Sequence, residues 1–197
     1  ILGDFKLVHM KYFFTWMLLF VKECDAVVCS PGGFGTLDEG MEVITLLQTG
    51  KRDMIPVVLL DPPGSGYWQG LVDFIHKQLL GNKLISPEDL RLFKYTDDHL
   101  AARDEVLQFF RVYHSMRYVK DDLVFRLQQP LETALLDAIN AEFTDLLKSG
   151  KFEQRPALPL ERDEAELNHM PRLVFAFSRR NFGRLRMLID AINRGVV

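Results

Sequence analysis

Apolar residues along this chain fall either in short continuous runs or at helical spacing, and each change of pattern marks the end of an element. Residues 10–23 hold the longest apolar run, Tyr12 to Val21, closed by Lys22-Glu23. It is too short to cross a bilayer and reads as a buried helix. "DAVVCSP" is a short apolar strand ended by Pro31, which has no N–H to continue a ladder. After the turn "GGFG", Leu37, Met41, Ile44 and Leu47 recur three and four residues apart, which predicts a helix stopped at Gly50. "MIPVVLLDP" is apolar without alternation, the pattern of a parallel strand covered on both faces.

The order then repeats. "YWQGLVDFIHKQLLGN" predicts an amphipathic helix ending at Gly81-Asn82. "SPEDLRLF" places Ser86 as a helix cap, with Pro87 first and Glu88-Asp89 in the first turn. "LFKYTDD" predicts a strand and "HLAARDEVLQFFRVYH" a helix. Strands alternating with helices of this length indicate the α/β class, a parallel sheet wrapped by helices. Beyond residue 120 the signals change. "DDLVFRLQQPL" reads as strand and turn, "ETALLDAINAEFTDLLKSG" as one amphipathic helix, and "KFEQRPALPLERDEAELNHMP" as a polar loop or arm. "RLVFAFSRRNFGRLRMLIDAINRG" reads as a strand and a basic helix that docks on the sheet or on a partner subunit. The expected division is residues 1–120 as one α/β domain and 121–197 as a C-terminal extension.

Composition narrows the function classes. With 48% apolar and 26% charged residues the chain can bury a core. A net charge of −3 gives no electrostatic footprint for nucleic acid or an anionic membrane. Cys24 and Cys29 stand at i and i+5 on a strand, hence on opposite faces, so neither a disulfide nor a metal pair is expected between them. The cytoplasm is the expected compartment.

One stretch carries chemistry, "SPGGFGTLDEGMEV" at 30–43. A strand that ends in Pro-Gly-Gly and opens a helix presents free N–H groups at the positive end of the helix dipole, which suits a phosphate. Gly32, Gly33 and Gly35 are expected to adopt positive φ and admit a close ligand, and the Thr36 hydroxyl to cap the helix or bond a phosphate oxygen. Glu39 and Glu42, three residues apart, share a helix face one turn further on. A carboxylate there can bind ribose hydroxyls or act as a base on water. On spacing alone, acidic residues that merely complement the dipole remain an equal reading.

"PGGFGTLDE" resembles the Pro-Gly-Gly-x-Gly-Thr-x-x-Glu signature of the LOG-type (Lonely Guy) nucleoside 5′-monophosphate phosphoribohydrolases, once called possible lysine decarboxylases. "YFFT", "DAVV", "LLQTGK", "PVVLLD", "YWQGLVDF", "ISPEDL" and "TDD" are similar as well, so the likeness covers about residues 10–110. It implies a Rossmann-like fold and a homodimer or larger homo-oligomer. It also implies hydrolysis of the N-glycosidic bond of a nucleoside monophosphate such as AMP, with no cofactor and no metal. Gly32, Gly33, Gly35 and Thr36 would then hold the 5′-phosphate, with Glu42 beside them, and Glu39 would be the catalytic carboxylate.

Two departures follow from the same comparison. The family's Arg-Lys pair, the arginine of which is assigned to catalysis, falls here on Trp16 and Met17, fifteen residues before Pro31. Tryptophan cannot donate a forked, charge-assisted pair of hydrogen bonds. Activity is therefore reduced, leaving a nucleotide-binding or sensing protein, or another cation such as Lys11 or Lys22 substitutes. The family's first strands would also lie before residue 1, so the natural chain is expected to be longer and the sheet to expose an edge. Decarboxylation on a pyridoxal lysine is rejected, because His76-Lys77 falls mid-helix on a solvated face. His9, His99, His114 and His169 lack ligand spacing. Trp68 with Tyr67 is read as a packing anchor, and Arg179, Arg180, Arg184 and Arg186 as a solvated or subunit-facing helix surface.

Overall fold

The computed structural model describes residues 19, 21–161 and 165–196. The expected helix over 10–23 is therefore seen only in its last turn, where Leu19 and Val21–Glu23 are helical. Lys11, Trp16 and Met17 lie outside the described residues.

A parallel sheet of three short strands follows, β1 (Val27–Cys29), β2 (Val57–Leu60) and β3 (Lys94–Thr96), in the order β1-β2-β3. The crossovers are α1 (Phe34–Gln48) and α2 (Tyr67–Phe74), the latter running into a π-helical stretch, Ile75–Leu80. Before β3 comes a 3-10 helix, Pro87–Leu92, opened by the expected cap. The Ser86 hydroxyl accepts from Asp89 N–H and the Asp89 carboxylate accepts from Ser86 N–H. Val57, Val58 and Leu59 are fully buried, because α3 (His99–Phe109) also packs on β2. Among the described residues nothing pairs with the outer side of β1, and Val28 is 48% exposed.

The remainder is an antiparallel sheet, which residues 121–197 did not announce. Two successive ββα units build it. The first is β4 (Tyr113–Val119), β5 (Asp122–Leu127) and α4 (Thr133–Glu142); the second is β6 (Leu147–Arg155), β7 (Arg172–Phe177) and α5 (Phe182–Arg194). The sheet order is β4-β5-β7-β6, so the two hairpins meet along β5 and β7.

Three expectations are corrected here. The helix expected over 132–150 stops at Glu142 and the chain becomes β6, because Asn140 binds both Phe152 N–H and Phe152 carbonyl and folds the strand back on the helix. Register shifts in β6 and a positive φ at Gly150 hide its period of two. The helix expected to reach His114 ends at Phe109, where buried Asn193 of α5 accepts from the N–H groups of Val112 and Tyr113. The expected arm is partly strand β6, and Leu158 and Glu161 beyond it are tied down. Buried Glu161 accepts from Leu158 N–H and pairs with Arg172 at 3.0 Å and with Arg126 at 3.4 Å.

One core joins both sheets. A chain of aromatic rings runs Phe109, Tyr113, Phe125, Phe175, Phe177, Phe182, with neighbouring centroids 5.2–6.3 Å apart. Leu185, Leu188, Ile189 and Ile192 of α5 pack into the same cluster as Val43 and Leu47 of α1. Gly50 stops α1 as expected, with φ 66°, and a Cβ there would lie 2.5 Å from Phe182 Cε2. Of the four arginines expected on a solvated or subunit-facing helix, Arg179 and Arg180 are exposed and precede α5, whereas Arg184 and Arg186 lie in α5 and are held by ion pairs. Arg186 is 4% exposed, bonded to Asp190 and Glu105 and stacked on Phe109, and Arg184 pairs with Glu142 and Asp145. No described helix is long and apolar enough to cross a membrane.

Candidate functional site

The carboxyl end of β1 leads through Ser30 and Pro31 directly into α1, whose N-cap is Gly33. No side chain caps this helix, so its first N–H groups are left to the surroundings. Of the two roles expected for the Thr36 hydroxyl, capping is therefore not seen. The glycines also serve differently from expectation, since Gly32, Gly33 and Gly35 are not among the residues with positive φ. Gly32 is required by a close approach, because a Cβ there would lie 2.9 Å from Thr36 Cβ and closer still to Thr36 Oγ1. Gly33 and Gly35 border open space, with nothing within 4 Å of a Cβ at either.

α1 begins at Phe34, so Glu39 is beyond the first turn, and the first turn contains no acidic residue. The dipole-complementing role thus loses its geometric basis. Glu39 stands three residues after Thr36 and four after Gly35, hence on their helix face, and helical side chains lean back toward the N-terminus. Both Glu39 and Glu42 are half-buried. Burial, and then the charge of Glu39, push the Cys29 thiol up, which puts that carboxylate within electrostatic reach of the end of β1.

The loop is held by residues that the glycine motif does not contain. Trp68 is fully buried and donates its Nε1–H to the Cys29 carbonyl at 2.9 Å. Its backbone N–H donates to both oxygens of buried Asp61 at 3.1 Å, and the Tyr67 hydroxyl donates to the Gly32 carbonyl at 2.8 Å. The packing role expected for Trp68 stands, and Tyr67 reaches the loop itself. The only sequence signal for this clamp is an aromatic pair at a helix start. Trp68→Phe removes the Nε1–H bond to the Cys29 carbonyl and shrinks a fully buried ring, and urea titration should show a loss of about 1–3 kcal/mol.

Beside the loop, at the carboxyl ends of the three parallel strands, a crevice of about 230 Å³ is lined by Ser30, Pro31, Asp61, Pro62, Asp97 and His99, among others. Ligands of open α/β sheets gather at this edge. Gly32, Gly33, Gly35, Thr36, Glu39 and Glu42 do not line the crevice but adjoin it through Pro31. Lys22 is on the opposite edge, in a cavity with the residues that precede β1 and β2. His76 and Lys77 are exposed, as expected of a solvated face. Among the described residues no three His, Cys, Asp or Glu side chains are grouped as metal ligands.

The family model described as possible lysine decarboxylase matches residues 4–106, just over half of the chain. Curated relatives agree over a shorter stretch. A cytokinin riboside 5′-monophosphate phosphoribohydrolase of Arabidopsis thaliana is 48% identical over 56 residues, 28% of this chain and 25% of the relative. Two probable cytokinin riboside 5′-monophosphate phosphoribohydrolases of Oryza sativa subsp. japonica are 42% identical over 66 residues and 41% identical over 71, covering 34% and 36% of this chain and 25% and 32% of the relatives. The chain spans about a quarter to a third of the length of these relatives.

Proposed function

Because the chain belongs to the LOG, or possible lysine decarboxylase, family, we propose that its glycine loop binds the 5′-phosphate of a nucleoside monophosphate and that Glu39 serves hydrolysis of the N-glycosidic bond. The observation that carries this reading is the uncapped α1 N-terminus, with open space at Gly33 and Gly35 and a carboxylate one turn behind it. The free N–H groups and the dipole attract the phosphate.

In the reaction the C1′–N bond breaks and its electron pair leaves with the base, which takes up a proton. Water adds to C1′ and loses a proton, giving ribose 5-phosphate. The sugar passes through an oxocarbenium-like state, and the Glu39 carboxylate lowers that barrier as a preorganised negative charge while orienting the water or the ribose hydroxyls. Glu42 lies one turn further from the phosphate and is assigned to ribose contact. The site is placed in the cytoplasm, on cysteine usage, and in a homodimer or larger homo-oligomer, as the resemblance implies.

Trp16 favours a second reading, a nucleotide binder without turnover. Incubation of the protein with AMP, GMP and CMP separates the two. Release of free base supports hydrolysis; a raised melting temperature without base supports the binder.

Gly33→Ala tests the phosphate loop on its own. The Gly33 backbone, φ −88° and ψ −161°, suits any residue, and the added methyl meets no protein atom. Tm should be unchanged while nucleotide affinity falls at least roughly tenfold, the loss of about one charge-assisted hydrogen bond. Unchanged affinity by calorimetry would remove the phosphate from this loop.

A further inference from the structure

Cys29 and Gly32, three residues apart, each have their carbonyl held by the side chain of one of two adjacent residues that open α2. The two bonds differ in kind. The Trp68 bond to Cys29 is buried and belongs to the core, whereas Tyr67 is half-buried and its hydroxyl bond to the Gly32 carbonyl, at 2.8 Å, is open to water. A bond whose partners water can satisfy adds little to stability. Its consequence is one of direction.

No described peptide bond is cis, so in the Gly32–Gly33 peptide the N–H points opposite to the carbonyl. With that carbonyl turned toward Tyr67, the Gly33 N–H points away from it. Gly33 is the N-cap of α1; its carbonyl already accepts from Leu37 N–H at 3.3 Å, and no side chain caps the helix. Turned over, the same peptide would put a carbonyl oxygen where the N–H stands and repel an anion there. Glycine on both sides makes such a flip easy, since neither residue has a Cβ to restrict it. Tyr67 opposes the flip from a fixed base. Its ring stands edge-on to the Trp68 ring, at 90° with centroids 4.9 Å apart, and Trp68 is fully buried.

We propose that Tyr67 is a positioning residue for phosphate binding: its hydroxyl holds the Gly32–Gly33 peptide with the carbonyl turned away from the anion and the N–H presented to it. This rests on the phosphate-loop reading and adds to it a side chain that lies 35 residues beyond Gly32. Tyr67 touches no phosphate itself; it acts through the peptide.

The test is calorimetric titration of the native protein and of Tyr67→Phe with AMP and with adenosine, which lacks the phosphate. Phenylalanine keeps the ring against Trp68 and removes only the hydroxyl, so Tm should be unchanged. The native protein should prefer AMP, and in Tyr67→Phe the AMP affinity should fall roughly tenfold, the equivalent of one hydrogen bond to a charged group, with adenosine affinity unaltered. A merely structural role would instead weaken both ligands alike or lower Tm, and either result overturns the proposal. Unchanged AMP affinity in Tyr67→Phe, with the native preference for AMP intact, overturns the role of Tyr67 and leaves the phosphate loop standing. Absence of any preference for AMP in the native protein overturns the loop reading and the proposal with it.

Discussion

Replacing Glu39 with glutamine should lower kcat for release of base from AMP by on the order of 10³-fold, the range for removing one preorganised catalytic group. Nucleotide affinity should hold, because the substitution spares the N–H groups of the loop and keeps side-chain volume at a half-buried position. Glu42→Gln, one turn further from the phosphate, should cost far less. Equal losses of turnover and affinity in Glu39→Gln would reject the roles assigned, since an interaction made only in the transition state lowers kcat alone. The same protein offers a reading independent of turnover. Glu39 is the second cause, after burial, of the raised Cys29 thiol, so thiol titration should move downward in the variant.

The second large effect concerns stability. Gly183, in the first turn of α5, lies directly on the Glu88–Asp89 peptide. A Cβ there would stand 2.7 Å from Asp89 N and closer to the Glu88 carbonyl. The obstacle is backbone, locked by the Ser86–Asp89 capping box, and cannot swing aside as a side-chain tip would. Gly183→Ala should therefore destabilise by about 2–3 kcal/mol, the cost of overpacking a closed contact, despite alanine's better helix propensity. For a chain of this size that lowers Tm by roughly 4–12 °C. Gly70→Ala, in α2 with no atom within 4 Å of the added methyl, is the control and should be neutral or stabilising. If both variants melt with the native protein, α5 does not sit on that peptide.

The parts of the fold legible in the sequence are those with local causes. The run "DAVVCSP", the glycines after it and the apolar spacing from Leu37 to Leu47 sufficed for β1, the turn and α1. The Ser86 cap was legible for the same reason, since donor and acceptor lie three residues apart. The glycine motif likewise pointed to an open turn at the start of α1, though for a partly mistaken reason. Its glycines do not adopt positive φ; one of them makes room for Thr36, and two border open space.

What could not be read from the sequence depends on partners far along the chain. Leu147–Arg155 is a strand because β7 and Asn140 receive it, and its bulges erase the alternation that would have marked it. Arg186 carries the sign of a surface residue, yet it is buried because Glu105 and Asp190 converge on it. The clamp on the loop couples Trp68 to Cys29 and Tyr67 to Gly32, pairs that no short window contains.

By itself, then, the sequence determined that a strand, a glycine turn and a helix bearing Glu39 occur in that order, because side-chain period and backbone permissiveness act within a few residues. Only the tertiary structure decided what holds that turn in place and at which edge of the sheet Lys22 lies. Strand register, burial and charge pairing are properties of surfaces brought together by folding, and residues distant in sequence set them.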